Sequence, residues 1–243
     1  MLHEIIKKTI PEYTCALPIS KKEIKFRPLL VKEEKFISQI NELSDLFSDR
    51  LYSLCKLVDS CCDNTIDSMQ LPIYDFQYLL IDIRKRSITE ETSMRIQCPY
   101  TEESVVVQIN FNDLLKNVVV QSQTKEISID NSTILKVGIP KIKDILDTLL
   151  EMTNDADIMK LVASVLLELE TVDKTIDLTA ETKEEKLQML ESMNRDQYKI
   201  IKEYVMNGYF IMNLKYQTSD GTERKVKVSD FANFLRFYLG TLI

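Results

Sequence analysis

The chain is poor in the residues on which many catalytic sites depend. Its 243 residues include a single histidine, His3, four glycines and no tryptophan. A Ser-His-Asp or Cys-His arrangement would have to be built around His3, at the very start of the chain. The glycines stand apart from one another, so neither a P-loop nor a dinucleotide-binding fingerprint is present. We therefore expect a protein that is not an enzyme.

Cysteines are few and lack the spacing of a metal site. None of the five belongs to a Cys-x-x-Cys pair, and the adjacent Cys61 and Cys62 would make poor joint ligands. We interpret Cys55, Cys61 and Cys62 as small buried side chains. The sequence predicts no cofactor, and protein purified in the presence of metal is expected to contain no bound zinc.

Charge and hydropathy argue against two further classes of partner. The formal charge is −7 and the isoelectric point is about 5.0, whereas an extensive nucleic-acid surface needs a basic face that replaces phosphate counterions. No run of about 20 apolar residues and no signal peptide is recognisable. We expect a folded, soluble protein that is made in the cytoplasm and has no nucleic-acid or membrane partner. The oligomeric state is left open.

The segment 71–87, LPIYDFQYLLIDIRKRS, is apolar on nearly every side and ends in a cluster of cations. Pro72 suits the first turn of a helix, and Asp75 complements the helix dipole there. Two stripes follow helical spacing: Ile73, Phe76, Leu80 and Ile83 form one, and Tyr74, Tyr78 and Ile81 form the other. The pattern predicts a buried helix with two packing partners, and Asp82 is expected to pair with Arg86.

The region before this helix predicts a longer helix preceded by an arm. Residues 31–62 carry apolar side chains at spacings of three or four. These are Phe36, Ile40, Leu43, Phe47, Leu51, Leu54, Val58 and Cys61. We expect this stripe to pack against the helix at 72–86, the alternative being a coiled-coil seam. Residues 1–24 show no sustained period and are interpreted as an extended arm that lies on its own core or on a neighbouring subunit.

From residue 91 the pattern alternates. Segments 94–98 and 105–109 predict a hairpin around the turn PYTEE. Further elements are expected as a helical turn at 112–115, strands at 118–121, 126–129 and 133–139, a helix after Pro140, and a helix at 156–169 capped by Asn154.

The C-terminal part opens with two capping boxes, Thr182 with Glu185 and Asn194 with Gln197. They predict short helices at 183–193 and 195–207. A second hairpin at 210–228 then turns at Ser-Asp-Gly, and a last helix at 230–238 follows the cap Ser229. The recurrence of a hairpin before a capped helix hints at two related lobes, and chance recurrence is the alternative.

The predicted fold class is α+β, with long paired helices and two small antiparallel β-hairpin lobes. The expected domains are the extended arm at 1–24, a helical hairpin with the first β-lobe at 25–153, and helices with the second hairpin lobe at 154–243.

Two segments are similar to a paired signature of a known family. They are KFRPLLVKEEKFI, which starts at Lys25, and LPIYDFQYLLIDIRKRSI, which starts at Leu71. The similarity continues through IQCPYTEESVVVQINFNDL, KVGIP, EEKLQMLESMNRDQYKIIKEY and FANFLRFYL. Over most of residues 25–238 the chain resembles the baseplate hub and hub-assembly proteins of T-even-type contractile-tailed bacteriophages. Members often carry Cys-x-x-Cys-like pairs in their β-lobes, whereas Cys98 stands alone here, which argues against a zinc ribbon.

The resemblance implies a non-enzymatic structural subunit of the baseplate hub that binds other hub or tail proteins. It would reside in the host cytoplasm during assembly and in the virion baseplate afterwards. One alternative is a transient hub-assembly chaperone. Another is a tail-associated hydrolase, since 38 acidic residues are present although no pair of them is marked. The apolar arm favours the permanent subunit. A truncation lacking residues 1–24 is expected to fold but not to be incorporated, because the arm is expected to contribute interface and little core.

The resemblance also implies a set of protein-interface residues. They are Phe26, Arg27, Pro28, Asp75, Arg84, Arg86 and Ser87. The alternative is that the signature is a folding device. In that case Arg84 or Arg86 would pair with Glu33 or Glu34 and hold the two signature helices together.

Overall fold

The computed structural model describes residues 9–43, 47–116, 122–148, 155–206, 212–228, 234–235 and 238, with the backbone alone at 38–43, 212 and 227–228. It shows helices combined with several small antiparallel sheets, which confirms the predicted α+β class. The proposed division at residues 24 and 153 stays a prediction.

The described part of the N-terminal arm is a hairpin that packs on its own chain. Strands β1 (Tyr13–Ala16) and β2 (Glu23–Phe26) are antiparallel, with Tyr13 opposite Phe26. The side chains of Leu17 and Ile19 are 1% and 3% exposed and belong to the hydrophobic core. Of the two positions left open for the arm, residues 9–24 therefore occupy the intramolecular one. The expectation that the arm contributes little to the core is wrong for these residues.

Three helices follow, and the predicted pairing is present. They are α1 (Val31–Leu43), α2 (Phe47–Cys61) and α3 (Ile73–Ser87), with a 3₁₀ turn at Ser68–Gln70 before α3. The long helix expected at 31–62 is thus helical on both sides of residues 44–46, which lie outside the described residues. Helices α2 and α3 pack against each other, as their apolar stripes predict.

Helix α3 is surrounded by other parts of the chain. Both of its predicted stripes are buried apart from Tyr78, which is half-buried, and so are several residues between them. The fully buried apolar members are Phe76, Leu79, Leu80, Ile81 and Ile83. A helix that is apolar all round can be stable in water only at the centre of a fold, which explains its position.

The first predicted hairpin is confirmed. It consists of β3 (Glu91–Gln97) and β4 (Ser104–Asn110), with Met94 opposite Val107. The predicted helical turn follows as α4 (Phe111–Lys116).

The next region forms a sheet that sequence patterns predicted only in part. Its strands, in spatial order, are β5 (Thr124–Ser128), β6 (Ile134–Gly138), β7 (Leu166–Glu170) and β8 (Thr175–Asp177). Between β6 and β7 lie α5 (Ile142–Thr148) and α6 (Asp155–Ser164). Strands β5 and β6 and helix α5 confirm the prediction, whereas the strand expected at 118–121 and the cap Asn154 lie outside the described residues.

The helix predicted at 156–169 is wrong in its last turn. Helix α6 ends at Ser164, and the sequence LLELE that follows is strand β7. Leucine and glutamate are good helix formers, but Leu169 lies opposite both Leu135 and Ile176 in the sheet. Pairing with two neighbouring strands therefore outweighs local helix propensity.

Both capping boxes form as predicted, before α7 (Lys183–Glu191) and α8 (Arg195–Met206). The hydroxyl of Thr182 accepts a hydrogen bond from the Glu185 amide at 3.2 Å, and the Thr182 amide donates to the Glu185 carboxylate at 3.0 Å. The two reciprocal bonds of the Asn194 and Gln197 box are both 3.0 Å.

The second hairpin lies beside the first. It consists of β9 (Met212–Gln217) and β10 (Glu223–Val228), and β9 runs next to β4. The Tyr216 hydroxyl is 3.3 Å from the Cys98 sulfur, and the Ser219 amide donates to Glu103 at 3.1 Å. The two hairpins are thus in contact. Of the predicted last helix, only residues 234, 235 and 238 are described, all three helical, and its cap Ser229 lies outside the described residues.

The burial of the arm predicts a stability effect. Leu17→Ala should lower the free energy of unfolding by about 2–5 kcal/mol, because it leaves a cavity in the core. Chemical denaturation measures this change. Val172→Ala is the control, since Val172 is 81% exposed and its truncation should change stability by less than about 0.5 kcal/mol. Equal stability of Leu17→Ala and the wild type would show that residues 9–24 add nothing to the core.

Candidate functional site

The first signature segment is built around a buried ion pair between Arg27 and Glu33. Nη2 of Arg27 lies 3.0 Å from Oε1 of Glu33, and Nη1 lies 3.4 Å from Oε2. The same guanidinium donates to the carbonyl oxygens of Pro28 and Ser60, both at 3.0 Å. Glu33 also accepts from the Leu30 amide at 2.7 Å. This network joins β2, the start of α1 and the end of α2.

Electrostatics favours the charged form of Glu33. Burial alone would raise the pKa of this carboxyl. The hydrogen bonds from Arg27 and Leu30, together with the charges of Arg27 and Lys32, outweigh burial and hold the pKa below its ordinary value. The carboxylate is therefore ionised at neutral pH and remains paired.

The second signature segment holds the N-terminal part of the chain at both ends of α3. Asp75, which is 0% exposed, accepts hydrogen bonds from the amides of Ile19 at 2.7 Å and Ser20 at 2.9 Å. At the other end of the helix, the Ser87 hydroxyl accepts from the Leu29 amide at 2.8 Å. The polar groups of this helix thus satisfy backbone donors of the N-terminal segment.

The aromatic residue of the signature is also internal. Phe26 is buried, and its ring centroid lies 5.8 Å from that of Tyr13 in the paired strand. Pro28 is half-buried, and its carbonyl oxygen accepts from Arg27. The two residues shape the passage from β2 into α1.

Arg84 and Arg86 occupy different environments. Arg84 is buried, with Cζ 5.3 Å from the centre of the Phe111 ring, and burial lowers the pKa of its guanidinium. Arg86 is exposed, with Cζ 4.8 Å from the Tyr13 ring centre and Nε 4.0 Å from Asp82. The predicted approach of Arg86 to Asp82 is present, although Lys85 lies closer to Asp82, at 3.0 Å.

In the folding-device alternative, the cation that reaches Glu33 is a different arginine. Arg27, and neither Arg84 nor Arg86, pairs with Glu33. Arg27 lies six residues before Glu33, across the turn into α1, so helical spacing could not reveal the pair. Ser60 belongs to this network, whereas Ile19 and Ser20 donate to Asp75, and no sequence signal marks any of the three.

Among the residues that the structure describes, two carboxyl groups show the raised pKa that a general acid requires. Burial raises the pKa of Asp59 and of Asp144. Asp59 accepts from the Ser68 amide and Asp144 from the Lys141 amide, both at 2.9 Å. Both carboxyl groups therefore hold backbone turns. Within the described ranges, no three His, Cys, Asp or Glu side chains are grouped as metal ligands, and no helix is long and apolar enough to cross a membrane.

Comparison with known protein families shows the family to which the chain belongs. The family described as T4 bacteriophage base plate protein matches residues 10–236. The chain belongs to the T4 bacteriophage baseplate protein family. No curated protein and no solved structure matches it. This baseplate protein is accordingly a structural component of a phage tail, and the signature residues of the resemblance lie mainly inside its fold.

The Arg27 and Glu33 pair predicts a pH dependence. The pKa of Glu33 is lower in the folded chain than its ordinary value of 4.5, so the pair stabilises the fold above that pH. Its contribution should be lost progressively as pH falls through the folded-state pKa. Glu33→Gln should lower the free energy of unfolding at pH 7 by about 3 kcal/mol and reduce this acid sensitivity.

Unfolding curves from pH 3 to pH 7 test this prediction. Glu12→Gln is the matched control, because Glu12 forms an exposed pair with Lys25 at 3.1 Å, which should contribute less than about 1 kcal/mol. If Glu33→Gln and Glu12→Gln behave alike, the buried pair does not stabilise the fold.

Proposed function

We propose that this baseplate protein is a structural subunit of the baseplate hub that acts through contacts with other hub or tail proteins and without catalysis. One observation carries the proposal. Most signature residues are used in contacts inside the fold, whereas an apolar surface elsewhere on the chain remains exposed. A subunit with fixed internal geometry and an uncovered apolar surface is suited to a permanent interface.

The internal contacts support a preformed body. Arg27, Asp75 and Ser87 each connect segments that are distant in sequence. Such contacts fix the relative positions of the N-terminal hairpin, α1, α2 and α3. An interface role for the buried signature residues would then be indirect, through the surface that they support, and Arg86 is the exposed member of the set.

The uncovered surface lies on the neighbouring helices α1 and α2. Phe36 of α1 is 36% exposed and Tyr52 of α2 is 44% exposed. Lys32, Phe36 and Lys56 line one recess, and the Lys56 ammonium lies 4.4 Å from the centre of the Tyr52 ring. We call Lys32, Phe36, Tyr52 and Lys56 the helix-pair surface. Aromatic residues are enriched at interfaces, and tyrosine is among the residue types that dominate binding energy there.

The exposure of Phe36 also bears on the alternative of a transient chaperone. A chaperone must release its client, so its contact is expected to be smaller or more polar. The apolar arm, which favoured the permanent subunit on sequence grounds, gives no such support over residues 9–24, because these residues pack on their own chain. The helix-pair surface, rather than the arm, supports a permanent subunit.

Mass spectrometry of purified particles tests the proposal. A hub subunit should be present in particles at a constant copy number relative to other baseplate proteins. A chain that is missing from particles but present in assembly intermediates would be a chaperone, and the proposal would be wrong.

A surface substitution tests the interface. Phe36→Glu with Tyr52→Glu should leave stability nearly unchanged but lower incorporation into particles, because two charges would have to be desolvated at the contact. Val172→Glu is the control, since it places a charge on an exposed valine in the turn between β7 and β8. Normal incorporation of the double variant would exclude the helix-pair surface from the interface.

A further inference from the structure

A small charged recess lies at the C-terminal end of α3. It has a volume of about 290 Å³ and is bounded by β1, the last turns of α3 and helix α4. Its charged lining residues are Asp82, Lys85, Arg86 and Lys116. Three cations and one carboxylate therefore face a single recess in a chain whose net charge is −7.

The cations differ in how far they are already neutralised. Lys85 Nζ lies 3.0 Å from Asp82 Oδ1, and both side chains are largely buried, so their charges compensate each other although this Asp82 oxygen accepts no hydrogen bond from any described residue. No described carboxylate forms an ion pair with Lys116. Glu90, near the rim, accepts a hydrogen bond from Asn112 at 3.0 Å. The excess positive charge of the recess thus resides on Arg86 and Lys116.

Arg86 is held in place, yet its hydrogen-bonding groups are not used. The guanidinium lies over the Tyr13 ring at 4.8 Å, and its nearest carboxylate, Asp82, is 4.0 Å away, which is beyond hydrogen-bond distance. No described residue accepts a hydrogen bond from it. A guanidinium has five N–H donors arranged to match a carboxylate, and stacking on an aromatic ring reduces the entropy lost when it binds one.

We propose that the recess binds an acidic side chain of a neighbouring baseplate protein, with Arg86 forming the paired hydrogen bonds to the carboxylate and Lys116 adding a second charge. The inference rests on the proposed function, because it names the chemistry of one partner contact. An Arg and carboxylate pair of this kind adds geometric specificity and is strengthened as the partner excludes water. This polar contact would complement the helix-pair surface, which offers aromatic side chains on α1 and α2.

A peptide probe tests the chemistry of the recess with the full chain. Binding of a hexaglutamate peptide, followed by NMR, should be saturable, should weaken with added salt and should decrease about tenfold or more in Arg86→Gln with Lys116→Gln. Arg195→Gln is the matched control, since Arg195 is exposed on α8, and it should bind as the wild type does. The affinity of Arg86→Lys for the peptide should lie between those of the wild type and the double variant. This substitution keeps the charge but loses the two parallel N–H donors of the guanidinium.

Inorganic phosphate is the second probe. Binding of phosphate without binding of the peptide would identify a small-anion site and overturn the proposal. Peptide binding that is unchanged in the double variant would overturn it as well, as would the absence of any peptide binding. Unfolding curves of each variant establish that the fold is retained.

Particle composition separates this inference from the proposed function. If the wild-type chain is found in particles, the double variant should be incorporated at a clearly lower copy number than Arg195→Gln. Equal incorporation would overturn the inference and leave the hub role standing. Absence of the wild-type chain from particles would contradict the hub role, whereas the peptide experiment would still report on the recess.

Discussion

The structure depends on the need to satisfy a carboxylate in the middle of the fold. Asp75 stands in the first turn of a helix that is surrounded by the rest of the chain, and a buried charge is tolerated only with hydrogen-bonding partners. The partners are the amides of Ile19 and Ser20, in the turn of the N-terminal hairpin. We therefore expect burial of α3 and folding of residues 9–26 to be coupled, because each supplies the hydrogen-bond partners of the other.

The Arg27 and Glu33 pair adds a second connection close to the first. It fixes the passage from β2 into α1 and, through the Ser60 carbonyl, the end of α2. Both connections use residues of the two signature segments, so in this chain those segments contribute to internal assembly. Phe36 and Arg86 remain exposed after this assembly, and they are the side chains that we propose for contact with partners.

Sequence reasoning succeeded where a pattern is local. The stripes of α3, both capping boxes and the alternation in the hairpins are visible within about ten residues, and all were predicted. It failed where contacts with distant segments decide the structure. Strand β7 forms because Leu169 pairs with neighbouring strands. The pair of Arg27 and Glu33 was missed because it spans a turn and has no helical spacing. The arm was ambiguous because apolar residues without a period do not show what buries them, and the exposure of Phe36 is a property of the packed helices.

The most direct test of this account is the free energy of unfolding of Asp75→Ala. The substitution removes the acceptor of the buried Ile19 amide, which should cost about 1–3 kcal/mol, and that of the part-buried Ser20 amide, which should add a smaller cost. We expect a loss of at least about 2 kcal/mol relative to Asp173→Ala, which removes an exposed carboxylate in the turn between β7 and β8. If the two variants prove equally stable, the N-terminal hairpin is not held by the buried helix, and the account is wrong.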